Sequence, residues 1–421
     1  MSFVVHADHV LRGDAPPLAD GAVVVDARGV VVDVGPAAEL LPRHRGLATT
    51  RIRGVVFPGL VNAHTHVELS NLRGKIAGGR GFVQWVDTLV ATRTESTPED
   101  EAEAVELAAA DLARFATVAV GEVTNSLAAV AALARTGLAG CVFHEVLGLD
   151  RAVVMRRIEG LRAELEERLP SWPTSDLTYA PSPHTLYTLH EDAAKTLLDA
   201  ARARGLRVSV HLAEHPSERR AVEQGDGPIP DWFVARFKAS PAFARVPLFD
   251  LAARVGALRE GVVLVHLTEA RPEELARVAA SGASVVFCPR SNLYIEGKLP
   301  PLLAARAAGL EVALGTDSLA SNASLDVLAE AKALADRFPS VPATDLVAMA
   351  TWNGARALGR PDLGRIARHA NPGLYAVDGD VPSDPATWLL SNLTKPRRCL
   401  APRTGARATH PVTPLAAEAS T

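Results

Sequence analysis

Six side chains in this sequence could together bind and use a divalent metal ion. They are His64, His66, His211, Glu214, His266 and Asp317. His64 and His66 are two residues apart, so on a strand both side chains point to the same face. Imidazole and carboxylate groups are ligands for Zn²⁺, which lowers the pKa of bound water toward ~7. These residues favour metal-dependent hydrolysis, with Glu214, three residues after His211, placed to move protons.

Each of these residues also has an ordinary structural interpretation. An isolated H-x-H pair is a weak metal signal, and a histidine at a strand end is more often a core or surface residue. Asp317 could cap the helix that follows it, and Glu214 could pair with Arg219. These interpretations leave unexplained why all the residues follow apolar, strand-like runs. The coincidence favours a shared site.

Eight apolar, β-branched runs alternate with amphipathic helical segments. The predicted strands are 55–62, 118–123, 140–146, 177–180, 207–212, 262–266, 284–288 and 311–315. Fully apolar strands covered by helices predict a parallel sheet, and eight such units predict an α/β fold of the (β/α)8 barrel type. An open doubly wound sheet is the alternative, but no G-x-G-x-x-G follows a strand. Because barrel sites form at the C-terminal ends of strands, the six side chains would converge there.

Both ends of the chain have a different pattern. Residues 22–25 and 30–34 read as a hairpin, and the segments Gly373–Val377 and Thr387–Leu390 read as strands that could pair with it. We therefore predict a small composite β-sandwich domain from residues 1–56 and 370–421, a barrel over 57–369, and a loose tail in the last dozen residues. One further helix, Thr344–Leu358, is expected to follow the barrel.

Composition excludes several classes of protein. The 421 residues carry a net charge of −4 without a long basic run, which argues against nucleic-acid binding. No stretch approaches the ~20 apolar residues of a membrane span, and the N-terminus lacks a signal-peptide pattern. The three cysteines are far apart and odd in number, which suits a reducing compartment. A cytoplasmic protein acting on a small molecule, with no membrane or nucleic-acid partner, is expected.

Four motifs resemble the amidohydrolase superfamily, in its cytosine/adenosine deaminase and chlorohydrolase branch. They are FPGLVNAHTH ending at His66, HLAE ending at Glu214, His266, and GTD ending at Asp317. The resemblance implies that His64, His66, His211 and Asp317 bind one metal ion, with Zn²⁺ expected and Fe²⁺ an alternative. It also implies that His266 holds the attacking water or substrate, that Glu214 protonates a ring nitrogen, and that Asp317 helps to transfer protons. A homodimer is common among such proteins.

Binuclear members of the superfamily resemble one another in a bridging carboxylated lysine on a middle strand. This chain has no lysine between Lys75 and Lys195, and Lys195 falls within a predicted helix. A mononuclear site is therefore expected.

Substrate contacts are predicted on the loops after the first and fourth barrel strands. His184 and Tyr187 resemble the substrate-binding segment of the branch, and Trp85 resembles its aromatic lid. Glu68 would lie at the pocket mouth and could bind a sugar hydroxyl. Residues 288–292 resemble the CPxSN motif, in which the asparagine supports the rim. His144 and Glu145 are placed either to face the site or to be satisfied in the core, whereas His215 should point away.

The resemblance implies hydrolytic deamination of a heteroaromatic ring. The motifs most resemble aminodeoxyfutalosine deaminases of the futalosine route to menaquinone. S-adenosylhomocysteine or methylthioadenosine deaminases and triazine chlorohydrolases follow. An amide hydrolase on the same scaffold, which needs no ring-nitrogen acid, and a metal-free scaffold protein are the remaining alternatives. None of the metal ligands that the resemblance implies is replaced in this chain, which argues against the last.

Overall fold

A computed structural model describes residues 1–238 and 240–403. The strands are β1 (Phe3–Val10), β2 (Leu18–Val25), β3 (Val31–Pro36), β4 (Ala48–Pro58), β5 (Leu60–Thr65), β6 (Thr117–Thr124), β7 (Ala139–Val146), β8 (Leu177–Pro183), β9 (Val208–Leu212), β10 (Val262–His266), β11 (Ser284–Phe287), β12 (Val312–Leu314), β13 (Leu374–Asp378) and β14 (Arg398–Ala401).

A 3-10 helix, Val67–Leu72, follows β5. The α-helices are α1 (Ala37–Arg43), α2 (Phe82–Arg93), α3 (Pro98–Arg114), α4 (Val130–Arg135), α5 (Arg151–Arg168), α6 (Glu191–Ala203), α7 (Pro216–Gln224), α8 (Pro228–Phe237), α9 (Leu248–Val255), α10 (Pro272–Ser281), α11 (Pro289–Glu296), α12 (Leu302–Ala307), α13 (Val327–Arg337), α14 (Ala343–Met349), α15 (Trp352–Ala357) and α16 (Pro385–Ser391). Within the described ranges, no helix has both the length and the hydropathy to cross a bilayer.

The eight strands β5 to β12 are parallel and form a barrel of the (β/α)8 type, as predicted. They hydrogen-bond as two four-stranded sheets, β5-β6-β7-β8 and β9-β10-β11-β12. The sheets meet on one side where the backbone N–H of Asp317 donates to the carbonyl of His64. On the other side, the N–H of His211 donates to the carbonyl of His184. The strands are buried along nearly their whole length, as expected of a parallel sheet covered by helices.

Both ends of the chain contribute to one six-stranded mixed sheet, in the order β14-β13-β4-β1-β2-β3. The pair β1 and β4 is parallel, and the other pairs are antiparallel. Strands from both ends of the chain thus pair with one another, as predicted. Over residues 1–238 and 240–403 they form a single hydrogen-bonded sheet. The domain boundaries 1–56 with 370–421 and 57–369 stay a prediction. Residues 404–421, including the predicted loose tail, lie outside the described residues.

The predicted first barrel strand, 55–62, is divided in the structure between β4 and β5. Gly59 lies at the break, and its N–H donates to the carbonyls of Pro372 and Gly373. A Cβ at Gly59 would stand 2.5 Å from the Pro372 carbonyl oxygen, so only glycine allows this close approach. The break lets one continuous apolar run serve both the mixed sheet and the barrel.

Two sequence-based predictions near the C-terminal end were wrong. The segment Thr387–Leu390 is helical, within α16, because the Asp384 side chain caps that helix by accepting from the N–H groups of Ala386 and Thr387. The single helix expected over 344–358 is two helices, α14 and α15. The Ala350 carbonyl between them accepts from the N–H of Val61 in the barrel, which a continuous helix would prevent.

A buried ion pair joins the segment before β14 to the start of α13. Arg397 makes two bonds to Asp326, of 2.8 and 2.6 Å, and a third of 2.7 Å to the Phe115 carbonyl. Removing one partner of a buried pair leaves an uncompensated charge, which costs about 3–5 kcal/mol. We expect Arg397→Ala to lower the free energy of unfolding, measured by urea denaturation, by about that amount.

The adjacent Arg398 provides a control, since its pair with Asp378 is half exposed. Arg398→Ala should change the free energy of unfolding by about 0–1 kcal/mol. Equal effects of the two substitutions would contradict the role given to Arg397.

Candidate metal centre and active site

The predicted metal-binding residues come together at the C-terminal end of the barrel. The ring centroid of His64 lies 5.0 Å from that of His66, 4.9 Å from that of His211 and 5.6 Å from that of His266. The Asp317 Oδ1 atom lies 3.8 Å from His64 Nε2 and 3.6 Å from His66 Nε2. Two ligands about 2.1 Å from a shared ion are separated by roughly 3.4 Å, so these atoms are spaced for one metal.

His64 gives the clearest sign that a cation belongs here. Both of its ring nitrogens are buried and neither has a hydrogen-bond partner. Such atoms are rare in native structures, because burial without a partner costs about 1–3 kcal/mol. Burial, followed by the neighbouring His211 and His66, holds the pKa of His64 well below its usual range. The imidazole is therefore neutral, which is the form that binds metal.

The two oxygens of Asp317 have different partners. Oδ2 accepts from the hydroxyls of Ser291 at 2.5 Å and Ser321 at 3.1 Å, which leaves Oδ1 facing the histidines. Burial alone would raise the pKa of Asp317, but His66, His266 and the Ser291 hydroxyl outweigh burial and lower it. Asp317 is thus an ionised carboxylate with one oxygen available for a metal ion.

Gly315 lets β12 approach β5 closely enough to bring Asp317 to His64. A Cβ at residue 315 would stand 2.6 Å from the His64 Cβ and 2.7 Å from the His64 carbonyl oxygen. Gly315→Ala must therefore displace His64 or the strand. We expect the free energy of unfolding to fall by about 1–3 kcal/mol and zinc affinity to fall roughly tenfold or more.

Urea denaturation of the metal-free protein and competition with a chromophoric chelator measure these two effects. Gly160→Ala is the matched control, because a Cβ at Gly160 in α5 meets no atom within 4 Å. Zinc affinity equal to wild type in the Gly315 variant would contradict the prediction.

Glu214 and His266 lie side by side, with His266 Nε2 3.6 Å from Glu214 Oε1. Burial, followed by the charges of Asp317 and Glu218, raises the pKa of Glu214 well above its usual range. Burial lowers the pKa of His266 to about 4. The backbone N–H of Glu214 donates to Glu218 Oε2 at 2.8 Å, which fixes the turn after β9. Burial thus favours the protonated form of the Glu214 carboxyl and the neutral form of the His266 imidazole.

A search against family models matches residues 55–399 to the amidohydrolase family. The chain belongs to the amidohydrolase family. The resemblance inferred from its motifs is thereby confirmed, and the match covers most of the chain.

Two of the relatives to which the chain is similar are named as deaminases. The chain is 32% identical over 348 residues to aminodeoxyfutalosine deaminase of Deinococcus radiodurans, with 80% of this chain and 81% of the relative covered. It is 33% identical over 380 residues to a 5-methylthioadenosine/S-adenosylhomocysteine deaminase of Halobacterium salinarum, with 87% and 81% covered. Aminofutalosine deaminase of Helicobacter pylori shares the fold, with a TM-score of 0.83 at 23% identity over 95% of this chain and 98% of that one.

Glu68, predicted as a substrate contact, is fully engaged by protein in this amidohydrolase. Its Oε2 accepts from the hydroxyls of Thr124 and Ser126 and from the N–H of Ser126. Its Oε1 accepts from the N–H of Asn125 and from Arg93. A sugar hydroxyl would have to displace one of these donors, so a contact between Glu68 and substrate stays a prediction.

Among the other predicted substrate contacts, His184 lies beside the histidine cluster. The His184 ring centroid is 5.2 Å from that of His211. Tyr187 is buried with its hydroxyl 3.4 Å from His215 Nε2, and His215 stacks on Phe82 at 3.8 Å. Trp85 is buried on α2 beside Phe82, and its ring N–H has no partner. One group of neighbouring rings thus contains Phe82, Trp85, Tyr187 and His215. Substrate contacts of His184, Tyr187 and Trp85 stay predictions.

Three supporting residues were missed by sequence reasoning. Ser291 lies in the CPxSN-like motif, but the motif suggested only its asparagine, and Asn292 Nδ2 indeed lies 3.3 Å from His266 Nδ1. Ser321 and Glu218 gave no local signal, since their partners are set by tertiary contacts. His144 bonds to Tyr179 in the core, away from the cluster.

Proposed function

We propose that this amidohydrolase is a mononuclear, metal-dependent deaminase of an adenine-type nucleoside, with 6-amino-6-deoxyfutalosine as the first choice of substrate. The observation that carries the proposal is His64, whose two unpartnered ring nitrogens lie among His66, His211 and Asp317. The Deinococcus radiodurans relative supports the choice of substrate. A role in menaquinone biosynthesis, a cytoplasmic location and a homodimer stay predictions.

The residues that would hold the metal are His64, His66, His211 and Asp317. The donor set of three imidazoles and one carboxylate suits Zn²⁺, and Fe²⁺ shares these ligands. When bound, a divalent ion lowers the pKa of water, supplies a nucleophile at neutral pH and stabilises negative charge.

Three side chains would orient the attacking water and transfer the protons. Glu214, kept protonated by burial, would donate to a ring nitrogen and make the amino-bearing carbon electrophilic. His266, which is neutral, would orient the attacking water through Nε2. Ionised Asp317 would accept one proton of that water, and Glu214, ionised by its own donation, would accept the second. Asp317 or Glu214 would then deliver its proton to the leaving amino group. A C–O bond forms, the C–N bond breaks, and ammonia leaves.

An ammonia-release assay tests this function. The zinc-loaded protein would be incubated with 6-amino-6-deoxyfutalosine, 5-methylthioadenosine, S-adenosylhomocysteine and adenosine, and metal content would be measured on the same sample. We expect the highest kcat/KM with 6-amino-6-deoxyfutalosine. Release from none of the four at full metal occupancy would refute the deaminase function.

Deamination of 5-methylthioadenosine or S-adenosylhomocysteine is the second candidate, favoured by the 33% identity to the Halobacterium salinarum protein. The metal centre cannot separate the two, since both reactions attack the same kind of ring carbon. A higher kcat/KM for either of these nucleosides in the same assay would establish this candidate instead.

A further inference from the structure

Glu145, at the end of β7, is a buried carboxylate for which the proposed reaction has no use. Its side chain is about 6% exposed. Oε2 accepts from the Asn125 side chain at 2.6 Å, whereas Oε1 is buried and has no hydrogen-bond partner. An unpaired buried carboxylate oxygen is costly, so its retention calls for an explanation.

Two imidazoles face that oxygen. Oε1 lies 3.5 Å from Nδ1 of His211 and 3.8 Å from Nε2 of His184. Nδ1 of His211 also lies 3.1 Å from the His184 carbonyl oxygen, which can only accept, so Nδ1 carries the proton. The lone pair of His211 is then on Nε2, the nitrogen left for a metal ion.

We propose that Glu145 is a positioning residue that holds His211 and His184 in the orientation and tautomer that the metal centre requires. Its negative charge favours N–H groups that point toward Oε1, on Nδ1 of His211 and on Nε2 of His184. His184 Nδ1 then accepts from the Thr188 hydroxyl, 2.7 Å away. The inference rests on the proposed metal centre and adds an outer carboxylate to it.

Glu145→Gln tests the inference sharply, because the existing contacts dictate how the amide must lie. Asn125 donates to the Oε2 position, so the amide oxygen takes that position and the NH2 group takes the place of Oε1. A donor then faces the ring N–H groups of His211 and His184. The His184 carbonyl still requires the proton on Nδ1 of His211, so the His211 ring must turn away from residue 145. His184 can reverse its tautomer, because its Nδ1 can donate to the Thr188 hydroxyl. Loss of an outer partner of a metal ligand typically weakens metal binding about 10–100-fold.

The experiment compares zinc dissociation constants of the wild-type, Glu145→Gln and Glu164→Gln proteins by competition with a chromophoric chelator. Glu164 is the matched control, since its carboxylate lies 3.8 Å from Nε2 of a buried histidine, His144, outside the cluster. We expect about 10–100-fold weaker zinc binding for Glu145→Gln only. The melting temperatures of the metal-free proteins should agree, which separates positioning from general destabilisation.

Nitrogen-15 NMR of histidine-labelled, metal-free protein reads the tautomers directly. The proton of His184 should be on Nε2 in the wild type and should shift toward Nδ1 in Glu145→Gln. Unchanged tautomers with unchanged zinc affinity would overturn the inference. It would also be overturned if the wild type bound two zinc ions per chain and Glu145→Gln bound one, because Glu145 would then be a metal ligand. If the wild type itself binds no zinc, the proposed function fails, and the two failures are therefore distinguishable.

Discussion

Replacing His64 by alanine will abolish deamination and release the metal ion. The His64 ring lies within 5.6 Å of the rings of His66, His211 and His266, and neither of its nitrogens has a hydrogen-bond partner. The metal supplies several kcal/mol of transition-state stabilisation, and each ~1.4 kcal/mol is a factor of ten in rate. We expect kcat/KM to fall by at least about 10³-fold, with less than stoichiometric metal by elemental analysis.

Asp317→Ala should give the same two losses, because it removes the carboxylate oxygen that faces His64 and His66. His144→Ala is the control, since it removes a buried histidine of the same barrel whose side-chain neighbours are Tyr179 and Glu164 rather than the metal-binding residues. That variant can lose stability but should keep its metal. Full activity and full metal content in both His64→Ala and Asp317→Ala would contradict the assigned centre.

Replacing Glu214 by glutamine will abolish most of the activity while leaving the metal bound. Burial raises the pKa of Glu214 and so favours the neutral acid, whose shape and lack of charge glutamine preserves. Glutamine cannot give up a proton, so only general acid catalysis is lost. We expect kcat to fall by about 10²–10⁴-fold at unchanged zinc content and unchanged melting temperature.

Glu223→Gln is the matched control, because Glu223 lies on the adjoining helix α7 and pairs with Arg219 rather than with the site. An amide hydrolase needs no acid at a ring nitrogen. A loss of less than tenfold in Glu214→Gln would therefore argue against a deaminase and favour that alternative.

Much of the fold could be predicted because its signals are local. Apolar strand runs and amphipathic helices mark β5 to β12, and the H-x-H spacing at His64 and His66 places two side chains on one face. The failures have tertiary causes. The break between α14 and α15 depends on the Ala350 carbonyl bonding to Val61 in the barrel, which no local pattern reveals.

The site was predicted unevenly for the same reason. Residues that a motif names, such as His211 and Asp317, could be assigned by resemblance, and the structure places each of them beside His64. The hydroxyls of Ser291, in helix α11, and Ser321, in the segment after β12, converge on one oxygen of Asp317. Glu68 could be placed near the site, but its bonds to the segment 124–126 appear only when the neighbouring strand is in position.

The mixed sheet has a consequence for synthesis of the chain on the ribosome. One edge of β4 is covered by β13, which emerges roughly 300 residues later, or on the order of 15–60 s at ordinary rates of translation. Throughout that time the nascent chain presents an unpaired strand edge, which is a template for aggregation. Nascent chains that stop before β13 should therefore depend on chaperones, whereas the finished protein covers that edge with its own last strands.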